Sequence, residues 1–175
     1  MTQPCRFVIA LALLVATPVA WTAGKKPGPI GPLRVGDAEG RTMTLDAPGV
    51  LYLVDFWALG CKPCTLEMPE LERLAKEYEP AGRFRLISVV AYGFAGKDLL
   101  TVARQAGTTL PIYSDPDDLF SQLEIGSYPT KLLIRDGQLL ARKRGGGPGA
   151  YDSWSRVITE VLGAPAKPSA GTTSE

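Results

Sequence analysis

The sequence predicts an α/β fold in which a mixed central sheet is flanked by helices, and three observations carry that prediction. Residues 50–56 and 84–90 are near-continuous apolar runs, the pattern of strands buried on both faces. Each is followed by a segment with helical spacing, and strands that alternate with helices imply parallel pairing. Asp136-Gly137 then separates two further strand-like runs, a hairpin signal that adds antiparallel strands to the same sheet.

Taken in chain order, residues 33–35 and 42–45 flank an Asp/Glu/Gly turn and predict a short N-terminal hairpin. The apolar run 50–56 is the first central strand. From residue 62 to about 78, Leu66, Leu71, Leu74 and Tyr78 recur at spacings that keep one helical face apolar. The second buried strand, 84–90, leads to a helix over 98–105 and a short one over 117–123. Residues 131–135 and 138–142 are the arms of the Asp-Gly hairpin. An amphipathic helix over 151–162 closes the domain, with Trp154 in the core.

Outside residues 33–162 the composition changes. Arg6 followed by the apolar run 7–16, broken by Thr17-Pro18 and trailed by Ala20 and Ala23, predicts an export signal over residues 1–23. An uncleaved anchor is the alternative, although the run is short of the ~20 apolar residues that span a bilayer. Residues 24–32 read as a Gly/Pro-rich linker and 163–175 as a disordered tail. The expected location is therefore periplasmic or otherwise extracytoplasmic. A formal net charge of +1 gives no electrostatic case for nucleic acid, and nothing in the chain suggests a dimerisation segment, so a monomer is expected.

Of three cysteines, Cys5 would leave with the signal, and Cys61 and Cys64 remain in the motif Cys-Lys-Pro-Cys between a strand and a helix. At a helix start the free N–H groups and the macrodipole favour an anion, which lowers a thiol's pKa from the ordinary ~8.5. Lys62 adds positive charge, and Pro63 suits the first turn because its missing N–H loses nothing there. Cys61 is thus the attacking thiolate, and Cys64, one turn in, the resolving thiol. Zinc would need four ligands, but two thiols survive and the chain contains no histidine. A purely structural disulfide closing so small a loop gains little. The pair is therefore read as a redox-active disulfide, with no other cofactor and no metal.

The segment Val54-Asp55-Phe56-Trp57-Ala58 followed by Cys61-Lys62-Pro63-Cys64 resembles the thioredoxin active site. Pro69 matches the proline inside the active-site helix of that family, and Ser127-Tyr128-Pro129-Thr130 resembles its cis-proline loop. Within the superfamily the chain is similar to the exported TlpA/ResA-type oxidoreductases. The N-terminal hairpin, the position of Glu67, and a Cys64-to-Pro129 separation of about 65 residues, which leaves room for a central insertion, carry that likeness.

The resemblance implies a thioredoxin-like fold and thiol–disulfide exchange. It implies that Asp55 lies buried behind the cysteines and accepts a proton from Cys64, and that Tyr128 and Pro129, with Trp57 packed nearby, bind a substrate strand. For Asp55 a strand-end cap is the alternative. Glu67 is a candidate acid/base, or else a solvated first-turn residue complementing the helix dipole. The implied partners are exported proteins with disulfides or thiols and an integral-membrane thiol carrier, with cytochrome c maturation or metal-centre assembly as the setting.

Gly60 departs from the pattern, since tryptophan usually precedes the first cysteine; its loss is expected to uncover the disulfide and loosen the turn. Three other functions remain in view. A DsbA-like oxidant differs only in direction. A peroxiredoxin is echoed by Cys64-Thr65-Leu66-Glu67, but Cys61 stands where its threonine belongs. A Sco-type copper metallochaperone would need a histidine. The run Arg142-Lys143-Arg144 is expected to be solvated strand-end charge guarding a sheet edge.

Overall fold

The protein is described from a computed structural model over residues 28–163. The predicted signal, residues 24–27 and the tail beyond Gly163 lie outside the described residues.

Strand β1 (Gly28–Pro29) falls within the predicted linker, and β2 (Arg34–Gly36) and β3 (Thr42–Thr44) form the expected hairpin. Next come β4 (Leu51–Trp57), α1 (Lys62–Tyr78), β5 (Phe84–Val90), α2 (Asp98–Ala106), β6 (Ile112–Tyr113) and α3 (Leu119–Gln122). The chain ends with β7 (Thr130–Arg135), β8 (Gln138–Arg144) and α4 (Ala150–Leu162). The sheet order is β1-β8-β7-β4-β5-β6. β4 pairs parallel to β5 and β5 to β6, with α1 and α2 inside the crossovers that parallel pairing requires. β7 returns antiparallel to β4, and the β7–β8 turn places Asp136 and Gly137 both at positive φ (51° and 69°), as the Asp-Gly pair predicts. β6 escaped the sequence reading because two residues leave no period to detect. β1 escaped because its ladder partners, Gln138 and Leu139, are distant in sequence.

The alternation of side chains along β4 divides the core in two. Leu51, Leu53 and Trp57 face one way, with Phe84, Leu86, Val90 and Leu133, against Met68, Leu71 and Leu74 of α1 and Trp154 and Ile158 of α4. Tyr52, Val54 and Phe56 face the other way, with Ile87, Val89, Leu132 and Ile134, beneath Leu33, Val35, Leu45, Leu119 and Leu123. Full burial of one such side chain is worth ~1.5–3 kcal/mol, so these two layers hold the sheet. The hairpin is attached through reciprocal backbone bonds between Gly36 and Ser114, 3.1 and 2.8 Å. Gly36 belongs there because a Cβ would collide with the Ser114 hydroxyl.

α1 begins where predicted, with Pro63 in its first turn and Pro69 inside it. Its buried stripe is Cys64, Glu67, Met68, Leu71, Leu74 and Tyr78. Leu66, expected on that stripe, is 54% exposed instead, because the helix turns the Cys64–Met68–Leu71 side inward and leaves position 66 on the outer face. α1 also completes α4: Glu70 accepts the backbone N–H of Gly149 (2.9 Å) and Tyr151 (2.7 Å). The same carboxylate thereby satisfies donors that a helix start leaves open. The Arg73 guanidinium lies 3.6 Å from the centroid of the Tyr151 ring, and Tyr78 Oη bonds Thr159 Oγ1 at 2.8 Å.

Candidate active site

Cys61 and Cys64 form a disulfide at the N-terminus of α1, with Cα atoms 5.3 Å apart. Cys61 is the N-cap: its Sγ accepts the Cys64 N–H at 3.3 Å, and its carbonyl accepts from the backbone N–H of Cys64 (3.0 Å) and Thr65 (3.1 Å). The Cys64 N–H on that sulfur and the helix dipole favour a thiolate at Cys61 once the disulfide opens. Cys61 is half-buried and Cys64 fully buried, so a partner reaches Cys61 first. Lys62 and Pro63 are exposed beside it.

The preceding turn is closed by a Cys61 N–H to Ala58 carbonyl bond at 3.2 Å, with Gly60 at φ 78°. Gly60 thus sits inside a hydrogen-bonded turn. It occupies a conformation that a residue with a Cβ adopts at a cost of ~1–2 kcal/mol.

Pro129 follows a cis peptide bond from Tyr128. It immediately precedes β7, whose Thr130 pairs with Phe56, so this loop lies at the same end of the sheet as the cysteines. Tyr128 is half-buried, edge-on to Phe120 (5.8 Å) and to Tyr92 (6.3 Å), and Phe120 continues the row to Phe56 at 5.1 Å. Tyr92, absent from the sequence prediction, is 74% exposed and holds a positive φ of 74°. Trp57 is fully buried in the layer that contains Cys64.

Asp55 is fully buried, on the α1 side of β4 by the alternation that sends Leu53 and Trp57 there. Its register partner across the antiparallel pair is Lys131, which is also buried, and Lys131 Nζ lies 3.3 Å from Asp55 Oδ1. The same ammonium donates a hydrogen bond to Glu67 Oε1. Glu67 is buried too, so the alternative of a solvated first-turn residue is overturned. Its other oxygen accepts the Gly147 N–H at 3.3 Å.

Burial pushes the Asp55 carboxyl above the usual range, and Lys131 opposes that only in part. Burial likewise raises Glu67, with Lys131 pulling down and Asp55 pushing up. A glycine at 146 is required here. A Cβ would stand 2.6 Å from Glu67 Cδ and 2.5 Å from Pro129 Cγ, so the 145–149 loop closes over both.

Lys131 was missed by the sequence reading. The available signal was a single cation heading the apolar run of a strand that β4 and β8 flank on both sides. The solvated reading of residues 142–144 is corrected at Arg142. That side chain is buried and donates to the Leu123 carbonyl, because its register partner Leu132 faces the second core layer. Lys143 is half-buried and donates to Ser153 Oγ at 3.1 Å, while Arg144 is exposed.

Comparison with known proteins agrees with this geometry. No family model matches the chain. It is 35% identical over 94 residues to the thioredoxin-like protein YneN of Bacillus subtilis (51% of this chain, 52% of that protein). It is 33% identical over 105 residues to the thiol-disulfide oxidoreductase ResA of Geobacillus thermodenitrificans (57% of this chain, 58% of that protein). The chain thus spans about half the length of the curated relatives it matches. Among solved structures, a candidate thiol:disulfide interchange protein DsbE from Chlorobium tepidum superimposes with a TM-score of 0.68 at 22% identity, covering 81% of this chain and all of that one, a likeness of fold. The fold, with a disulfide at its helix end, is of the thioredoxin-like class. Within that class the curated proteins that the chain resembles include thiol-disulfide oxidoreductases named ResA.

Proposed function

We propose that the chain is an exported thiol–disulfide oxidoreductase that reduces disulfides in exported proteins, using Cys61 and Cys64. The observation that carries this reading is the division of labour at the disulfide, with Cys61 half-exposed at the helix N-cap and Cys64 buried one turn on. The relatives named thiol-disulfide oxidoreductases support it. In the reducing direction the Cys61 thiolate attacks a substrate S–S bond, and one substrate sulfur leaves as a thiolate. Cys64 gives its proton to the Asp55 carboxylate, and its sulfur attacks Cys61 Sγ. That breaks the mixed disulfide, frees the second substrate thiolate and leaves Cys61–Cys64 oxidised, two electrons having passed to the substrate. Tyr128 and Pro129 line the approach.

An integral-membrane thiol carrier is the proposed source of electrons, and cytochrome c maturation or metal-centre assembly the proposed setting. Export rests on the apolar run at residues 7–16; among the described residues no helix is long and apolar enough to cross a membrane. In a disulfide-reduction assay driven by dithiothreitol, Cys61→Ser should be inactive, and Cys64→Ser should accumulate a mixed disulfide with substrate. Full activity in both variants overturns the reading. The Cys64 N–H at Cys61 Sγ and the helix dipole stabilise a thiolate, which also suits an oxidant. A potential near thioredoxin's about −270 mV supports the reductant, and one near about −120 mV the oxidant.

A further inference from the structure

Three ionisable side chains are sealed beneath the disulfide helix, and the exchange steps above use only Asp55. Asp55 comes from β4, Lys131 from β7 and Glu67 from α1; each is at most 1% exposed. Two carboxylates and one ammonium leave a net charge of −1 if all are ionised, and burial disfavours that state. Holding one proton makes the cluster neutral.

The geometry says where the proton goes. Lys131 donates a hydrogen bond to Glu67, whose second oxygen takes the Gly147 N–H. Asp55 has only the 3.3 Å ion pair with that ammonium, and neither of its oxygens accepts a hydrogen bond among the described residues. The ionised form of Glu67 is therefore held by two donors, and Asp55 is left as the carboxyl that takes up and releases the proton.

Other groups facing the cluster do not change this balance. β5 offers the uncharged Ser88 hydroxyl, the register partner of Asp55, and α1 offers Cys64. Arg142, the other buried cation among the described residues, lies on the opposite face of the sheet. Glu67 also lines a cavity of about 260 Å³, walled by residues 143–150, Ser153 and Trp154, which gives this end of the cluster a surface outlet.

We infer that Lys131 joins Asp55 and Glu67 into one proton-holding unit, in which the ammonium fixes the charge on Glu67 and so makes Asp55 the carboxyl that exchanges with Cys64. Lys131 and Glu67 are then positioning residues: they act on sulfur only through Asp55. This rests on the exchange chemistry proposed above.

The test follows the fully reduced protein reacting with oxidised glutathione, at concentrations where ring closure by Cys64 limits the rate, from pH 5 to pH 10. Glu67→Gln relieves Asp55 of a negative neighbour and frees the ammonium, so the break in the closure rate should move down by about one pH unit. Lys131→Met removes the cation, so the break should move up by at least as much, and closure at pH 7 should slow by about tenfold or more. The protonated-carboxyl infrared band that Asp55→Asn abolishes should weaken at neutral pH in Glu67→Gln. Breaks that stay in place, or that move in the same direction in both variants, overturn the inference. Should Lys131→Met not fold, the near-isosteric Glu67→Gln decides alone, and an unmoved break overturns it. A wild-type protein that never closes the Cys61–Cys64 bond overturns the exchange reading itself, an outcome distinct from closure with unmoved breaks.

Discussion

Lys131 and Arg142 stand on neighbouring strands of one hairpin, both buried and both cationic, and they face opposite sides of the sheet. Lys131 meets two carboxylates under the disulfide helix. Arg142 meets a backbone carbonyl, that of Leu123, and two of its other nitrogens have no hydrogen-bond partner among the described residues. The first arrangement contains two acids whose carboxyls burial raises above their ordinary values, so it can gain and lose a proton. The second contains no acid within its hydrogen bonds and serves to hold the segment after α3 onto β8. A buried charge therefore marks chemistry when its partners titrate, and architecture when they do not.

The widest difference between the two should appear on deleting each cation. Lys131→Met leaves two buried carboxylates uncompensated, and breaking such a cluster costs about 3–5 kcal/mol at pH 8. Toward pH 4 both acids are protonated and most of that loss should vanish. Arg142→Met strands only one carbonyl and should cost about 1–3 kcal/mol, equally at both pH values. Urea unfolding at pH 4 and pH 8 measures both, and a pH-dependent Arg142→Met would erase the contrast.

Asp55→Asn sharpens the comparison from the acid side. The folded pKa of Asp55 lies above its ordinary value, so folding favours the protonated form. The stability that this contributes is complete below the ordinary carboxylate range and is lost as pH rises through the folded value. The variant lacks that loss, so it should be more stable than wild type at pH 8 and similar to it at pH 3.5. Thermal melts at the two pH values check the sign.

A smaller effect is expected at the turn before the disulfide. Gly60→Ala should cost about 1–2 kcal/mol, independent of pH, because the φ of 78° is strained for alanine. Smallest is Arg34→Ala, which removes an exposed pair with Asp117 tying β2 to the segment before α3. It should cost about 0–1 kcal/mol and disappear in high salt.

What the sequence disclosed and what it hid follow one physical line. The extent of α1 was legible because a first-turn proline and a long apolar stripe mark it, although Leu66 falls on the outer face. The Cys61–Cys64 pairing was legible from spacing, and the burial of Asp55 and the cis bond at Pro129 from resemblance. Lys131 was not, because its partners arrive from two other elements and only the register of β7 on β4 brings them together. Glu67 was half-legible. Its spacing of three from Cys64 and four from Leu71 set it on the buried stripe, but a carboxylate there reads as solvated until its cation is known. Arg142 failed for the complementary reason, since a basic run at a strand end looks like an edge until a loop packs over it.

The loop at 145–149 is made almost entirely of glycine, so it surrenders more chain freedom than any other segment of its length. What fastens it is α1, through Glu67 at Gly147 and Glu70 at Gly149 and Tyr151. Burial works against the Glu70 carboxylate, but the N–H groups of Tyr151, Gly149 and Ala150 outweigh it and hold its pKa below the ordinary value, so that fastening survives until the solution is strongly acidic. The Glu67 clasp takes up its proton first, because burial raises that carboxyl, and once Glu70 follows in stronger acid the segment comes loose while the apolar layers stay shut. Amide exchange at positions 147, 149 and 151 would then quicken ahead of exchange in β4, making this wall of the site the first part of the molecule to open in acid.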